Sequence, residues 1–232
     1  MSTAARKRLA APQQGKTRAQ SAAATRATIL RAAVKVFARH GFDGGRVDQI
    51  SQAANSHDRM IYYYFGSKES LFAAVIEEIY RRFNAAESKL QIDEAQPAQA
   101  LEQIIAFVWQ YYRRHPEFIT LLNCENLHRG AHLAKSTQAG FYASPSLNLL
   151  DRVLGSGARA GLFRQELSAR DIYLMIAAMG YFYLSNRHTL STFLGENLER
   201  PQALAHWQQF ITDAVLRTVA LPQPAKRSTR HG

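Results

Sequence analysis

Apolar residues recur at three- and four-residue intervals along most of this 232-residue chain, the period of helices with one buried face. Ile29, Ala32, Ala33, Val36 and Phe37 mark a first helix, with Thr25 as its N-cap and Gly41 as its stop. Phe42, just past that glycine, can pack back on the helix it follows. Gly44 and Gly45 make a turn, and a short helix then carries Val47, Ile50, Ala53 and Ala54 on one face. Asn55, Ser56 and His57 break it, since asparagine tolerates the left-handed backbone that a tight interhelical turn needs. A second short helix runs from about Asp58 to Phe65, with Ile61 and Phe65 four apart as its apolar anchor. Gly66 and Ser67 stop it, and Ser67 caps a long helix bearing Leu71, Val75, Ile79 and Phe83.

The same period places helices near 98–114, 117–128, 145–160, 169–185 and 201–219. Ser168 with Asp171 makes a capping pair, and Pro201 suits a first helical turn. No alternating stretch is long enough for a strand and no segment repeats. The fold class is all-α.

Charge changes the picture. No acidic residue precedes Asp43, whereas Arg6, Lys7, Arg8, Lys16, Arg18, Arg26, Arg31, Lys35 and Arg39 do. Lys226, Arg227 and Arg230 follow Leu221, so the net charge of +11 sits on the termini and first helix. Such asymmetry points to a polyanion met by one end of the molecule, or else to a solvated tail. Residues 1–22 lack an apolar period and read as a disordered basic arm, and 221–232 as a basic tail. No apolar run is long enough to span a bilayer, and the basic N-terminus has no signal core. The single cysteine, Cys124, excludes an internal disulfide. A cytoplasmic protein without a membrane partner is expected.

Two short helices joined by a three-residue turn behind a basic helix make a helix-turn-helix at about 46–65. With Ile61 and Phe65 inward, Arg59, Met60, Tyr62, Tyr63 and Tyr64 project away. On DNA that face has a use. A phenol donates to phosphate oxygen and its ring packs on sugars and thymine methyls, while Arg59 can bond guanine through two donors at once.

Residues from about Thr25 to Arg82 resemble the DNA-binding domain of the TetR family. The matching pieces are Ile29-Leu30-Arg31-Ala32-Ala33, Phe37, Gly41-Phe42, Ile50, Ala54 and Tyr62-Tyr63-Tyr64-Phe65-Gly66-Ser67-Lys68-Glu69. The resemblance implies that Arg46, Val47 and Asp48 approach the phosphate backbone. It implies that His57, Asp58, Arg59 and Met60 face base edges, and that Tyr62, Tyr63 and Tyr64 contact phosphates and a base or methyl. Lys68 would meet a phosphate beside a helix dipole. Several positions depart from the family's pattern. Asn55 replaces a turn glycine, Arg46 stands where a Ser or Thr cap is common, and Arg59-Met60 replaces a Gly-Thr type pair, so base preference should differ. Asp58 would repel phosphate and is expected to accept from a cytosine amino group or pair with Arg59. The stretch from Arg59 to Lys68 is similar to a subgroup that includes regulators of pyrimidine and nicotinate breakdown.

The resemblance further implies a DNA-binding head at 23–83 and a larger helical effector-binding and dimerisation domain at 84–220. Dimerisation would use the last two long helices, which carry Ile172, Ile176, Gly180, Tyr183, Trp207, Phe210 and Ile211. A palindromic double-stranded operator needs two reading heads, hence a homodimer. The effector pocket would be lined by Trp109, Tyr112, Asn123, Cys124, His128, Phe141 and Tyr181, with Phe107, Tyr111, Tyr142 and Tyr183 nearby, and would suit an aromatic or heteroaromatic ligand. An aromatic stripe at helical spacing serves equally well as plain core. Cys124, Glu125, His128 and His132 resemble a metal set, but Gly130 interrupts the helix between the histidines, and neither metal nor cofactor is expected. No nucleophile-plus-base pattern or phosphate-cradling loop appears, so no enzyme is expected. The leading reading is a repressor released from its operator by a small molecule. An activator or a ligand-independent regulator is the alternative, and an enzyme with an accessory DNA-binding head a remote one.

Overall fold

The computed structural model describes residues 18–136 and 145–221. They form α1 (Arg18–Gly44), α2 (Val47–Ala53), α3 (Asp58–Phe65), α4 (Lys68–Glu87), α5 (Pro97–Arg114), α6 (Pro116–Leu127), a 3-10 turn (Leu133–Lys135), α7 (Pro145–Arg159), α8 (Ala169–Leu194) and α9 (Pro201–Val219). The described residues hold no strand, only an isolated bridge between Phe163 and Ala220.

Boundaries differ from the sequence reading at both ends of α1, which kinks at its expected stop, Gly41, and runs on to Gly44, and at the end of α8. Thr25 does not cap α1: its hydroxyl donates to the Ser21 carbonyl at 3.0 Å, one turn earlier in the same helix. Residues 18–22, read above as disordered arm, are therefore helical. The alanine-rich run Ala22-Ala23-Ala24 has the highest helix propensity of any residue type and needs no buried stripe to continue the helix. Likewise α8 extends to Leu194, where Gly195 adopts the left-handed conformation (φ 65°) that ends it. Residues 1–17 of the arm, Phe141, Tyr142 and residues 222–232 lie outside the described residues.

Helices α1 to α4 enclose Ile29, Ala33, Phe37, Ile50, Ile61, Leu71 and Phe72, all fully buried. Each such Ile, Leu or Phe contributes about 1.5–3 kcal/mol by leaving water. The turn before α2 runs so close to α1 that a Cβ at Gly45 would lie 2.5 Å from the Phe37 ring. Helix α4 then carries the same buried core on into the later helices. There Phe83 packs against Phe107, Tyr111 and Phe118, with ring centroids 5.5, 4.9 and 5.6 Å away. Helix α5 is its centre, burying Leu101, Ile104, Ile105, Val108 and Trp109 and touching α7, α8 and α9. Trp207 of α9 stacks on Tyr183 of α8 at 5.0 Å and donates its indole N–H to the Met179 carbonyl at 3.2 Å.

The first helices join the later ones where α1 lies on α6. Gly41 kinks α1 with a positive φ of 69°, and the kink turns Phe42 inward. The Phe42 ring stands 5.1 Å from Phe72, 5.2 Å from His128 and 4.5 Å from His132. Below it the buried carboxylate of Glu125 accepts from the N–H groups of His132 (3.0 Å) and Leu133 (2.8 Å) and pairs with His132 Nδ1 at 2.8 Å.

Candidate nucleic-acid interface

The two short helices are set by their turn. Asn55 takes a positive φ of 48°, as the sequence reading requires, and His57 enters α3 in extended conformation. On α3, Ile61 is fully buried and Phe65 nearly so, which fixes the helix on α1 and α4. Tyr62 and Tyr63 are 52% and 77% exposed, so both phenols reach solvent. His57 and Arg59 are exposed as well. Met60 and Tyr64 do not project freely. They are half-buried and line, with Arg59 and Tyr63, a groove against Ser21, Ala22 and Thr25 of α1. That groove exists because α1 starts early. Tyr64 also packs edge-on against Tyr63, with centroids 5.0 Å apart.

The charged candidates differ in their freedom. Arg46 donates from Nε to Asp48 Oδ1 at 2.9 Å and from its second nitrogen to Oδ2, while its backbone N–H is held by Gln49 Oε1 at 3.0 Å. The guanidinium holds the Asp48 carboxyl below the usual carboxylate range. Val47 is half-buried against the core. Lys68 Nζ donates to the Asp43 carbonyl at 3.3 Å and lies 4.7 Å over the Phe42 ring. Asp58, though exposed, does not pair with Arg59, one of its two expected partners; it accepts the hydroxyl of Ser51 on α2. Sequence reasoning missed Ser51, which is buried, because a lone serine on an inner helical face carries no periodic signal. It missed Arg26 too, whose guanidinium sits 4.7 Å over the Phe65 ring and clamps α1 to α3.

The expected effector residues fall in two places. Trp109, Tyr112, Asn123 and Tyr181 lie along the contact of α5, α6 and α8. Tyr181 donates to Asn123 Oδ1, as does Ser185 at 3.1 Å. A Cβ at Gly180 would lie 3.4 Å from Tyr112 and 3.7 Å from Trp109. Burial pushes the Tyr112 and Tyr181 phenols up. The Trp109 indole N–H is buried with no hydrogen-bond partner among the described residues. Cys124 and His128 are not with them. They face the joint, Cys124 beside Phe42 and His128 at 3.5 Å from Asp43. No three His, Cys, Asp or Glu side chains group as metal ligands among the described residues. No helix among them is long and apolar enough to cross a membrane.

The arrangement presents one short helix, anchored by apolar residues, whose outer face carries a guanidinium and two phenols. Known proteins resemble this chain in sequence and fold. Residues 29–75 match the family described as bacterial regulatory proteins, tetR family, and residues 97–215 match the tetracyclin repressor-like C-terminal domain. The HTH-type transcriptional repressor NicS of Pseudomonas putida is 54% identical over 200 residues, spanning 86% of this chain and 94% of its own. The HTH-type transcriptional repressor SCO4008 of Streptomyces coelicolor is 31% identical over 160 residues, 67% of this chain and 76% of its own. Among solved structures, the transcriptional regulator SCO4942 of Streptomyces coelicolor superposes with a TM-score of 0.58 at 25% identity, over 86% of this chain and 99% of that one. The regulator HI0893 of Haemophilus influenzae, at 19% identity, shares the fold with a TM-score of 0.61 over 87% of this chain and 100% of that one.

Proposed function

The chain belongs to the TetR family of bacterial regulatory proteins, and on that premise we propose a homodimeric repressor that leaves a palindromic operator when a small effector binds. Residues 23–83 are the DNA-binding head and 84–220 the effector-binding and dimerisation domain. The protein is a regulator and not an enzyme, and it works in the cytoplasm, where a bacterial operator lies. The observation that carries this reading is the face of α3. Arg59, Tyr62 and Tyr63 stand outward on a helix whose inner face is locked by Ile61 and Phe65. A recognition helix has this form: rigid below, with donors and rings above.

Arg59 reads a base edge in the major groove, Tyr62 and Tyr63 take phosphate and sugar or methyl, and Lys68 neutralises a phosphate. Arg46 exchanges Asp48 for a phosphate on docking. The effector sits near Trp109, Tyr112, Asn123 and Tyr181. Its class is aromatic or heteroaromatic, with an acceptor for the unpaired Trp109 N–H. Binding there favours a dimer whose heads no longer match the half-site spacing.

The test is selection of random duplexes by the purified protein. Enrichment of one sequence with two inverted half-sites is expected, and uniform retention of all sequences would refute the reading. A screen of aromatic and heteroaromatic acids against the selected operator then tests release. The expected hit raises the melting temperature and weakens operator binding together.

A further inference from the structure

Two acid–base neighbours lie in the helix-turn-helix, and the fold handles them differently. Arg46 and Asp48 are paired. Asp58 and Arg59, adjacent at the start of α3, are not. The Asp58 carboxylate takes the Ser51 hydroxyl instead, and Arg59 is exposed, with no ion pair or hydrogen bond to a side chain among the described residues. Adjacent residues in a first helical turn do pair in this same chain. At the start of α8, Arg170 Nε lies 3.4 Å from Asp171 Oδ1. At the start of α3 no such contact is made, and the Ser51 hydroxyl is the group the acid meets.

Ser51 is suited to that task. It is 5% exposed on the inner side of α2, so its hydroxyl has a fixed direction. The hydroxyl has one proton and two acceptors in reach, the Asp48 carbonyl at 3.0 Å and the Asp58 carboxylate. An ionised acceptor makes the stronger bond, so the proton goes to Asp58. A carboxylate left free there could take the guanidinium fork of Arg59 in bidentate fashion. A fork so occupied cannot also close on guanine O6 and N7.

We propose that Ser51 is a positioning residue for sequence recognition: it holds the Asp58 carboxylate against α2 and so leaves the Arg59 fork open to a base edge. This rests on the reading of Arg59 as a base contact. Ser51 touches no DNA itself. A serine that served only to pack α2 on α3 would, when lost, weaken binding to every sequence alike.

The experiment uses the full chain, the selected operator and its single-base variants. Arg59→Ala first identifies the base pair at which discrimination is lost. Ser51→Ala should lose most of the discrimination at that same pair, roughly tenfold, and little at the others. Adding Asp58→Ala to Ser51→Ala should restore it, because the competing carboxylate is gone. Discrimination is a ratio of two affinities of one preparation, so any misfolded fraction cancels. If Ser51→Ala keeps its preference at the Arg59 pair, or the double variant is no better than Ser51→Ala, the positioning role is overturned while the Arg59 reading stands. If Arg59→Ala shifts preference at no pair, the Arg59 reading falls and this inference with it.

Discussion

The backbone N–H of Phe42 donates to the Sγ of Cys124 across 3.1 Å, joining the kinked end of α1 to the middle of α6. Burial pushes the Cys124 thiol up, which keeps the sulfur a neutral acceptor. The Phe42 ring completes the joint among Phe37, Phe72, His128 and His132. Phe42→Ala should cost about 2–4 kcal/mol, near the lower range for a buried aromatic because the ring is half-buried. Cys124→Ala should cost about 1 kcal/mol for the stranded N–H, and Cys124→Ser less, since a hydroxyl still accepts. Urea midpoints check this, and a Ser variant less stable than the Ala variant would contradict the acceptor role.

Ile61 and Tyr63 lie two apart on α3 and should separate stability from binding. Ile61 is fully buried, so Ile61→Ala should destabilise by roughly 2–5 kcal/mol. Tyr63 is 77% exposed, so Tyr63→Ala should stay within about 0.5 kcal/mol of the parent while weakening operator binding. Denaturation and binding curves on the same preparations decide it. A stable Ile61→Ala protein would mean that α3 is not anchored as described.

Local chemistry explains what the sequence showed. The left-handed Asn55, the Ser67 cap donated to by Ser70 N–H and the Ser168 cap on Asp171 each follow from one residue's own preferences. What stayed hidden depends on neighbours far along the chain or on the lack of a buried stripe. The first turns of α1 bury little, so no apolar period marked them, although Ala22-Ala23-Ala24 did. The end of α8 is exposed at Phe193 and Leu194, and the stop signal was Gly195 rather than the loss of period. The half-burial of Met60 and Tyr64 comes from packing against the buried core and beside the first turns of α1. The Ser51–Asp58 bond and the split of Cys124 and His128 from Asn123 and Tyr181 are tertiary. Asn123 and Cys124 are adjacent in sequence, yet a helix points adjacent side chains about 100° apart, so one meets α8 and the other α1.

The outer faces of α8 and α9 expose Leu174, Phe182 and Phe210, at 55%, 58% and 48%. Exposed apolar side chains on these two helices fit burial against a second copy. Light scattering should give about twice the 26.1 kDa chain mass, and Phe182→Glu should shift it toward one chain. A parent protein that scatters as one chain at micromolar concentration would refute the dimer, and with it the palindrome.

Because α1 already runs from Arg18, an arm deletion should stop before it. Removing residues 1–17 takes away Arg6, Lys7, Arg8 and Lys16 and leaves the groove beside α3 intact. Operator binding should weaken modestly, and the slope of log affinity against log salt should flatten by up to about 0.9 for each lost phosphate contact. An unchanged slope would show that the arm stays off the DNA.

Arg59 and Lys68 are both basic and lie within one turn-and-helix of each other, but their surroundings assign them different work. Arg59 is exposed at the start of α3 and bonded to no side chain among the described residues, so its fork is available to a base pair. Arg59→Ala should cost roughly 1–3 kcal/mol and relax preference at one pair per half-site. Lys68 begins α4 with its ammonium on the Asp43 carbonyl and over Phe42, and under the proposed role it would exchange the carbonyl for a backbone phosphate. Lys68→Met should weaken all sequences alike and flatten the salt slope by about one contact. It should also lower the melting temperature slightly, because the cation–π contact with Phe42 is worth about 0.5–1 kcal/mol at such a site. Arg59→Ala removes no side-chain hydrogen bond or ion pair among the described residues and should leave melting nearly unchanged. Binding across single-base operator variants, at two salt concentrations, separates the two profiles. Identical profiles for Arg59→Ala and Lys68→Met would show that groove and backbone roles are wrongly divided between them.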